Sequence, residues 1–257
     1  MDVQVDSMIY EFLKQCPYVA MAISEERPYP MFMNKKTGEF NVCFDPIDGS
    51  NILESNYAVG SIFGIFPDGN LDDFVGRDMV GAALAVYGSR TTIIVYNQTT
   101  DCPQEFTLKE NDNGEEFWVL TKKQISISPS TRIFSPMNSR AIVDNIAYRQ
   151  CIDFWIKTGY ALRYSGALSA DSYHLLIKGE GVYTSIGSKT MKCKLRLLYE
   201  LIPVSFLVEK AGGKSTNGTT SILDIPIEGY YQKSSITVGS SEEVERMERF
   251  IKASKAE

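Results

Sequence analysis

Histidine is almost absent from this sequence: His174 stands alone in 257 residues. That excludes a histidine-rich metal site and argues against a Ser-His-Asp triad, which needs an imidazole as its base. A lone histidine is more often structural, so His174 is given no role. Acid–base chemistry in this chain then falls to carboxylates. Cysteine patterning is missing too. Cys16, Cys43, Cys102, Cys151 and Cys193 show no C-x-x-C spacing. An odd, unpatterned set points to reduced thiols in an intracellular protein, not to a disulfide frame or a zinc site. No apolar run is long enough to span a bilayer, and the N-terminus shows no signal-peptide pattern. No basic block stands out either. Lys and Arg number 26 against 32 Asp and Glu, a net charge of -6. A nucleic-acid surface is therefore not expected. A small phosphorylated anion stays compatible with that balance if metal ions and a few local cations offset the charge. Repeats and low-complexity linkers are also lacking.

What is present is an ordinary core. Hydrophobic residues make up 44% and charged residues 23%, which suits one large domain or two modest ones. Residues 2–16 read as a helix, with Val5, Met8, Ile9, Phe12, Leu13 and Cys16 at helical spacing. "YVAMAIS" reads as a buried strand ending at Glu25-Glu26. "YPMFMNKKTGEFNVCF" reads as a hairpin turning at "NKKTGE" and delivering the chain to Asp45. "YAVGSIFGIF" and "AALAVYGSRTTIIVY" are strand-rich, and "FTLKENDNGEEFWVL" is a hairpin turning at Asn113-Gly114. The pattern changes near "ISPSTRIFSPMNSR". A helix follows around "VDNIAYRQCIDFWIKTG", then strand, helix and strand in "LRYSGALSADSYHLLIKGEGVYTS". "KLRLLYELIPVSFLVEKAGG" reads as one long helix kinked at Pro203 and stopped by Gly212-Gly213. A last helix starts near Ser240, with Glu243 completing a capping box. The irregular alternation predicts an α/β fold, a layered α+β sandwich with mixed sheets. Its expected halves are residues 1–132 and 133–257.

The stretch "CFDPIDGSN", Cys43 to Asn51, puts Asp45 and Asp48 three residues apart around a proline. Pro, Asp and Gly in that order also describe a plain turn. Glu25-Glu26 and Asp45 both end predicted strands, where layered folds commonly build sites. Four carboxylates brought to one edge repel unless protonated or neutralised by a cation. Mg²⁺ suits such a set, because it prefers oxygen and shares its shell with water and phosphate. Glu25-Glu26 taken alone reads as a solvated charge pair before Arg27. Gly49-Ser50-Asn51 adds a phosphate cue if a helical turn opens there with free N–H groups; the alternative is an N-cap without ligand. In "KLRLLYE", Arg196 and Glu200 are four apart on one predicted helix face, either a weak surface ion pair or part of the same site with Lys194.

Together "MDVQVDSMIYEFL", "SEE", "VCFDPIDGSN", "AVGSIFGIF", "YGSRTT", "FSPMNSRA", "LRYSGAL", "KLRLLYE" and "VEKAGG" resemble the fructose-1,6-bisphosphatase and sedoheptulose-1,7-bisphosphatase family, within the lithium-sensitive, magnesium-dependent phosphatases. The resemblance covers nearly the whole chain and implies the sugar phosphatase fold. "GSNILESNYAVGSIFG", "DCPQEF", "FSPMNSRA" and "GVYTS" are closer to the sedoheptulose branch. Ser185 stands where the fructose enzyme has a sugar-phosphate tyrosine. The resemblance implies an Mg²⁺-dependent sugar bisphosphate 1-phosphatase acting on sedoheptulose 1,7-bisphosphate, with fructose-1,6-bisphosphatase as the alternative. A non-catalytic sugar-phosphate-binding protein is the alternative of another class. By position, the implied metal ligands are Glu25, Asp45, Asp48, Glu200 and the Ile47 carbonyl. Glu26 and Asp2 would polarise the attacking water. Gly49, Ser50, Asn51, Arg196 and Lys194 would hold the departing phosphate. Asn138, Arg140 and Tyr164 would hold the distal one, with Arg163 reaching it from a neighbouring subunit, which implies at least a homodimer. The implied cofactor is Mg²⁺, about two or three ions per site, with Mn²⁺ as substitute; neither nucleic acid nor membrane is expected as a partner.

Family members normally begin several dozen residues earlier, with further helices, an effector site and another metal-linked aspartate. The expectation is that this chain lacks that layer, which puts Asp2 on a frayed terminus. The redox cysteine pair of the chloroplast enzyme is not visible, so no thiol–disulfide switch is expected. The expected location is cytoplasmic, or a plastid or other organelle where a presequence has been lost.

Overall fold

The computed structural model describes residues 1–34 and 37–254. Helix α1 (Asp2–Gln15) precedes strands β1 (Val19–Ser24), β2 (Met31–Phe32), β3 (Phe40–Asp48), β4 (Val59–Pro67), β5 (Gly81–Tyr87), β6 (Thr91–Asn97), β7 (Cys102–Glu110) and β8 (Glu116–Lys122). These form one sheet in the order β2-β1-β3-β4-β5-β6-β7-β8. From β3 onward it is an antiparallel meander, while β1 runs parallel to β3. Next come β9 (Ile133–Pro136), α2 (Ile146–Lys157), β10 (Ala161–Leu162), α3 (Leu168–Lys178), β11 (Val182–Ser185), α4 (Ile202–Lys210), β12 (Lys214–Thr216), β13 (Ile236–Gly239) and α5 (Ser241–Ser254). Their five strands form a second mixed sheet, β10-β9-β11-β13-β12. The expected layered α/β fold with mixed sheets is the one found.

Burial explains the layering. α3 and α4 pack on β4 and β5 from one side and on strands of the second sheet from the other. A helix between two sheets has no solvent face, so it is apolar all round. α4 meets that demand: residues 202–208 are all buried. Each fully buried Leu or Phe side chain there contributes about 1.5–3 kcal/mol. α1 covers the opposite face of β1 and β3, packing Tyr10 against Phe44. β1 is therefore buried along its whole length. α2 and α5 cover the far face of the second sheet, where Trp155 meets Phe134.

Four local expectations are corrected. The 29–44 segment is not a hairpin: β2 pairs antiparallel with one edge of β1, and β3 joins the other edge in parallel. β3 is almost wholly buried and so belongs inside the sheet. Lys35 and Lys36, in the expected turn, lie outside the described residues. The long helix does not begin at Lys194. Arg196 is extended (φ -92°, ψ 137°), a π-helical turn covers Leu197–Leu201, and α4 follows. Pro203 sits in its first turn, where a missing N–H costs nothing, and Gly212 (φ 89°) follows its end. At α5, the Ser240 hydroxyl accepts from Gly181 N–H and Glu243 is turned to Trp155, so no capping box forms. On α1 the buried residues are Asp6 and Tyr10, while Met8 and Phe12 of the expected stripe are exposed.

Candidate active site

Residues three apart in a regular strand point to opposite faces. Asp45 and Asp48 do not, because the β3–β4 register slips between them. Pro46 has no N–H to give the ladder, and strand prolines collect at such bulges. The Asp45 carboxylate accepts from Ile47 N–H at 3.0 Å, and the Ser61 hydroxyl donates to the Pro46 carbonyl at 2.6 Å. The bulge thus turns both aspartates toward the π-helical turn that carries Glu200. Oxygens of Asp45, Asp48 and Glu200 lie within 4.8 Å of one another, and all three residues are buried.

Such a cluster is under electrostatic stress. Burial first, then Asp48, Glu200 and Glu25, push the Asp45 pKa well above the ordinary carboxylate range. Burial, then Glu25 and Asp48, do the same to Glu200, against hydrogen bonding from Arg196 N–H. Burial raises Asp48 to about 6, although hydrogen bonds from Ser169 hold it down. The donor set is all oxygen, tightly grouped and short of positive charge, which fits a hard divalent cation.

A cavity of about 440 Å³ opens above the cluster. Of the expected site residues, Glu25, Asp45, Ile47, Asp48, Gly49, Ser50, Asn51, Asn138, Arg140, Tyr164, Lys194 and Glu200 line it. Gly49 takes φ 91° before a 3-10 turn over Ser50–Ser55. A side chain at Gly49 would meet the Ala167 methyl at 2.7 Å, so only glycine fits both the conformation and the space. Asn138 donates to the Ile186 carbonyl at 2.9 Å. Arg140 and Lys194 are exposed at the rim.

The structure places four expected residues outside the cavity lining. Arg196 stands behind Glu25, donating to its carbonyl at 2.9 Å and pairing with its carboxylate at 3.3 Å. Glu26 follows Glu25 on the turn after β1. Burial, then the charges of Asp2, Glu25 and Asp6, raise its pKa; Asp2 opens α1. Arg163 is exposed and donates to the Leu162 carbonyl.

Sequence reading missed Ser169. Its N–H, in the first turn of α3, donates to the Asp48 carboxylate at 2.5 Å. The residue before α3 is Ala167, which cannot cap a helix with its side chain. An aspartate from a distant strand takes that orphan donor instead. The available signal was a helix start without Ser, Thr, Asp or Asn. Met137, Gly166, Leu168 and Leu195 also line the cavity unpredicted.

Fold and site together define a layered α/β protein that gathers buried carboxylates beneath a cavity with a cationic rim. Family models describe it further: the fructose-1-6-bisphosphatase N-terminal domain matches residues 1–123 and the C-terminal domain matches residues 127–252. The chain belongs to the fructose-1,6-bisphosphatase family. Chloroplastic sedoheptulose-1,7-bisphosphatase from Spinacia oleracea is 39% identical over 97% of this chain and 64% of that protein. Class 1 fructose-1,6-bisphosphatase from Pelobacter propionicus is 35% identical over 98% of this chain and 76% of that protein. The crystal structure of Leishmania major fructose-1,6-bisphosphatase in its T-state superposes with TM-score 0.88, at 28% identity, over 97% of this chain and 82% of that one. The chain spans less than two thirds of the length of the chloroplastic relatives, 64% and 63% for the first two.

Proposed function

We propose that this chain is an Mg²⁺-dependent sugar bisphosphate 1-phosphatase, whose substrate is sedoheptulose 1,7-bisphosphate and whose products are sedoheptulose 7-phosphate and phosphate. The observation that carries the reading is the convergence of Asp45 and Asp48 at the end of β3 with Glu200 of the distant π-helical turn onto the floor of one polar cavity. The activities of the relatives support the reaction, and the 39% identity to a sedoheptulose enzyme supports the substrate.

Glu25, Asp45, Asp48, Glu200 and the Ile47 carbonyl would hold the cations. Bound there, Mg²⁺ supplies the charge that acidifies a water and offsets negative charge on the phosphoryl and leaving oxygens. Glu26, more basic than an ordinary carboxylate, takes the water's proton with Asp2 beside it. Gly49, Ser50, Asn51 and Lys194 orient the departing phosphate. Arg196 holds Glu25 in place. Asn138, Arg140 and Tyr164 bind the distal phosphate, with Arg163 of a second copy completing that site in a homodimer. Positioning and charge suffice for this transfer. The half 1–132 then supplies most of the metal and departing-phosphate residues, joined by Glu200 and Lys194 from the half 133–257, which binds the distal sugar phosphate; the two separate sheets support that division.

The test compares phosphate release from sedoheptulose 1,7-bisphosphate and fructose 1,6-bisphosphate, with and without Mg²⁺, beside Asp48→Asn. The expected result is Mg²⁺-dependent release favouring the sedoheptulose ester, reduced more than about 100-fold by the substitution. Preference for the fructose ester overturns the substrate; release unaffected by Mg²⁺ overturns the mechanism.

A further inference from the structure

Asp6 is fully buried on α1, yet it does not line the cavity. Its carboxylate is met by Arg27 Nε at 2.8 Å. The same guanidinium donates to the Ser7 hydroxyl at 2.6 Å and lies over the Tyr10 ring, 5.1 Å from its centre. Arg27 therefore grips α1 through three side chains, Asp6, Ser7 and Tyr10. Asp2, Asp6 and Tyr10 are spaced four apart, so they share one face.

The other end of Arg27 is as firmly tied. Its backbone N–H donates to the Ser24 hydroxyl at 3.0 Å, and its carbonyl accepts from Ser24 N–H. These bonds close a tight turn, Ser24-Glu25-Glu26-Arg27, with Glu25 and Glu26 at its centre. Arg196 holds the turn from the cavity side through Glu25. Arg27 holds it from the helix side.

We propose that Asp6 and Arg27 are positioning residues: a clamp that fixes α1, with Asp2, against the Glu25–Glu26 turn and so sets the geometry in which these carboxylates serve cation and water. This rests on the reading of the site as an Mg²⁺-dependent phosphatase. A lysine at position 27 could meet the Asp6 charge, but it lacks the forked donors that also reach Ser7 beside the Tyr10 ring. Partners that orient metal-binding side chains matter to metal affinity nearly as much as the ligands do.

The test uses the full chain and three variants: Arg27→Lys, Asp6→Asn, and the double variant Asp6→Asn with Arg27→Met. The double variant removes both charges and leaves no unpaired buried ion. Two readings are taken for each. One is the Mg²⁺ concentration that gives half of the Mg²⁺-induced rise in melting temperature, without substrate. The other is kcat and KM for phosphate release. The expected result is that all three variants need about tenfold more Mg²⁺ and lose kcat by a similar factor. KM for the bisphosphate should stay within about twofold, because the distal phosphate is bound elsewhere. Variants that melt earlier but keep wild-type Mg²⁺ dependence and kcat overturn the clamp and leave a purely structural ion pair. A wild-type chain that binds Mg²⁺ but releases no phosphate overturns the proposed reaction, and the melting measurement still decides the clamp.

Discussion

Asp48 and Ser169 are separated by 121 positions in sequence, yet the Ser169 amide lies 2.5 Å from the Asp48 carboxylate. That contact shows what single residues do here: one side chain serves folding and the site together. The same double use carries a cost. Asp45, Asp48 and Glu200 are like charges, buried and adjacent, and without a cation they oppose the fold. Asp45→Asn should therefore raise the melting temperature of the metal-free protein, by the equivalent of about 1 kcal/mol. It should also abolish the further rise on adding Mg²⁺. Differential scanning calorimetry with and without Mg²⁺ checks both; a metal-free protein destabilised by the substitution contradicts the account. The two aspartates were legible in "CFDPIDGSN" because their spacing around Pro46 is local. Ser169 was legible only indirectly, through the uncapped start of α3, because its partner Asp48 comes from a distant strand.

At the scale of elements, Glu243 joins α5 to α2. Its carboxylate accepts from Trp155 Nε1 at 2.6 Å and the Tyr160 hydroxyl at 2.9 Å, and pairs with Arg246 at 2.8 Å. Burial pushes its pKa up, but hydrogen bonds from Arg246, Trp155 and Tyr160 outweigh it and leave it below the ordinary value of 4.5. A carboxyl group held below its unfolded pKa stabilises the fold above that unfolded value. The contribution is lost as pH falls through the lower, folded value. Glu243→Gln should thus cost about 1.5–3 kcal/mol at neutral pH. The gap from wild type should close as the pH is taken below 4.5. Urea denaturation at both pH values measures it, and a gap that widens on acidification reverses the sign argued here. In the sequence, Ser240 and Glu243 read as a capping box because their spacing fits one. The structure gives Glu243 to a second helix, since the Ser240 N–H that a capping box would use already donates to the Gly181 carbonyl, while a buried indole N–H and a phenol need an acceptor. The misread hairpin at 29–44 has a similar cause: local alternation identifies strands but not their neighbours.

The two sheets are joined by a hydrophobic cluster that runs from Met21 and Ile62 in the first sheet, through Leu207 and Val208 of α4, to Ile236 and Val238 in the second. Neither sheet has a complete core of its own. Leu207→Ala, at a fully buried site, should cost about 2–5 kcal/mol. It should lower both sheets together. Trp118 on β8 and Trp155 on α2 are the only two tryptophans, so variants keeping one or the other report separately by fluorescence. Coincident midpoints are expected in wild type and in Leu207→Ala. Separate midpoints would mean that the sheets fold independently.

By itself the sequence determined most strands, the places of the helices though not the start of α4 or the buried face of α1, and the acidic stretch around Pro46, because these rest on periodicity, turn chemistry and spacing within a few residues. It also determined the layered class, through the order in which strands and helices follow one another. Only the tertiary structure decided that β1 lies between β2 and β3, that Arg196 faces Glu25, and that Asp6 answers to Arg27. Those pairings join residues far apart in the chain, and nothing local encodes them. They follow from which apolar faces must be buried together, and the polar groups on the same elements are carried along with them.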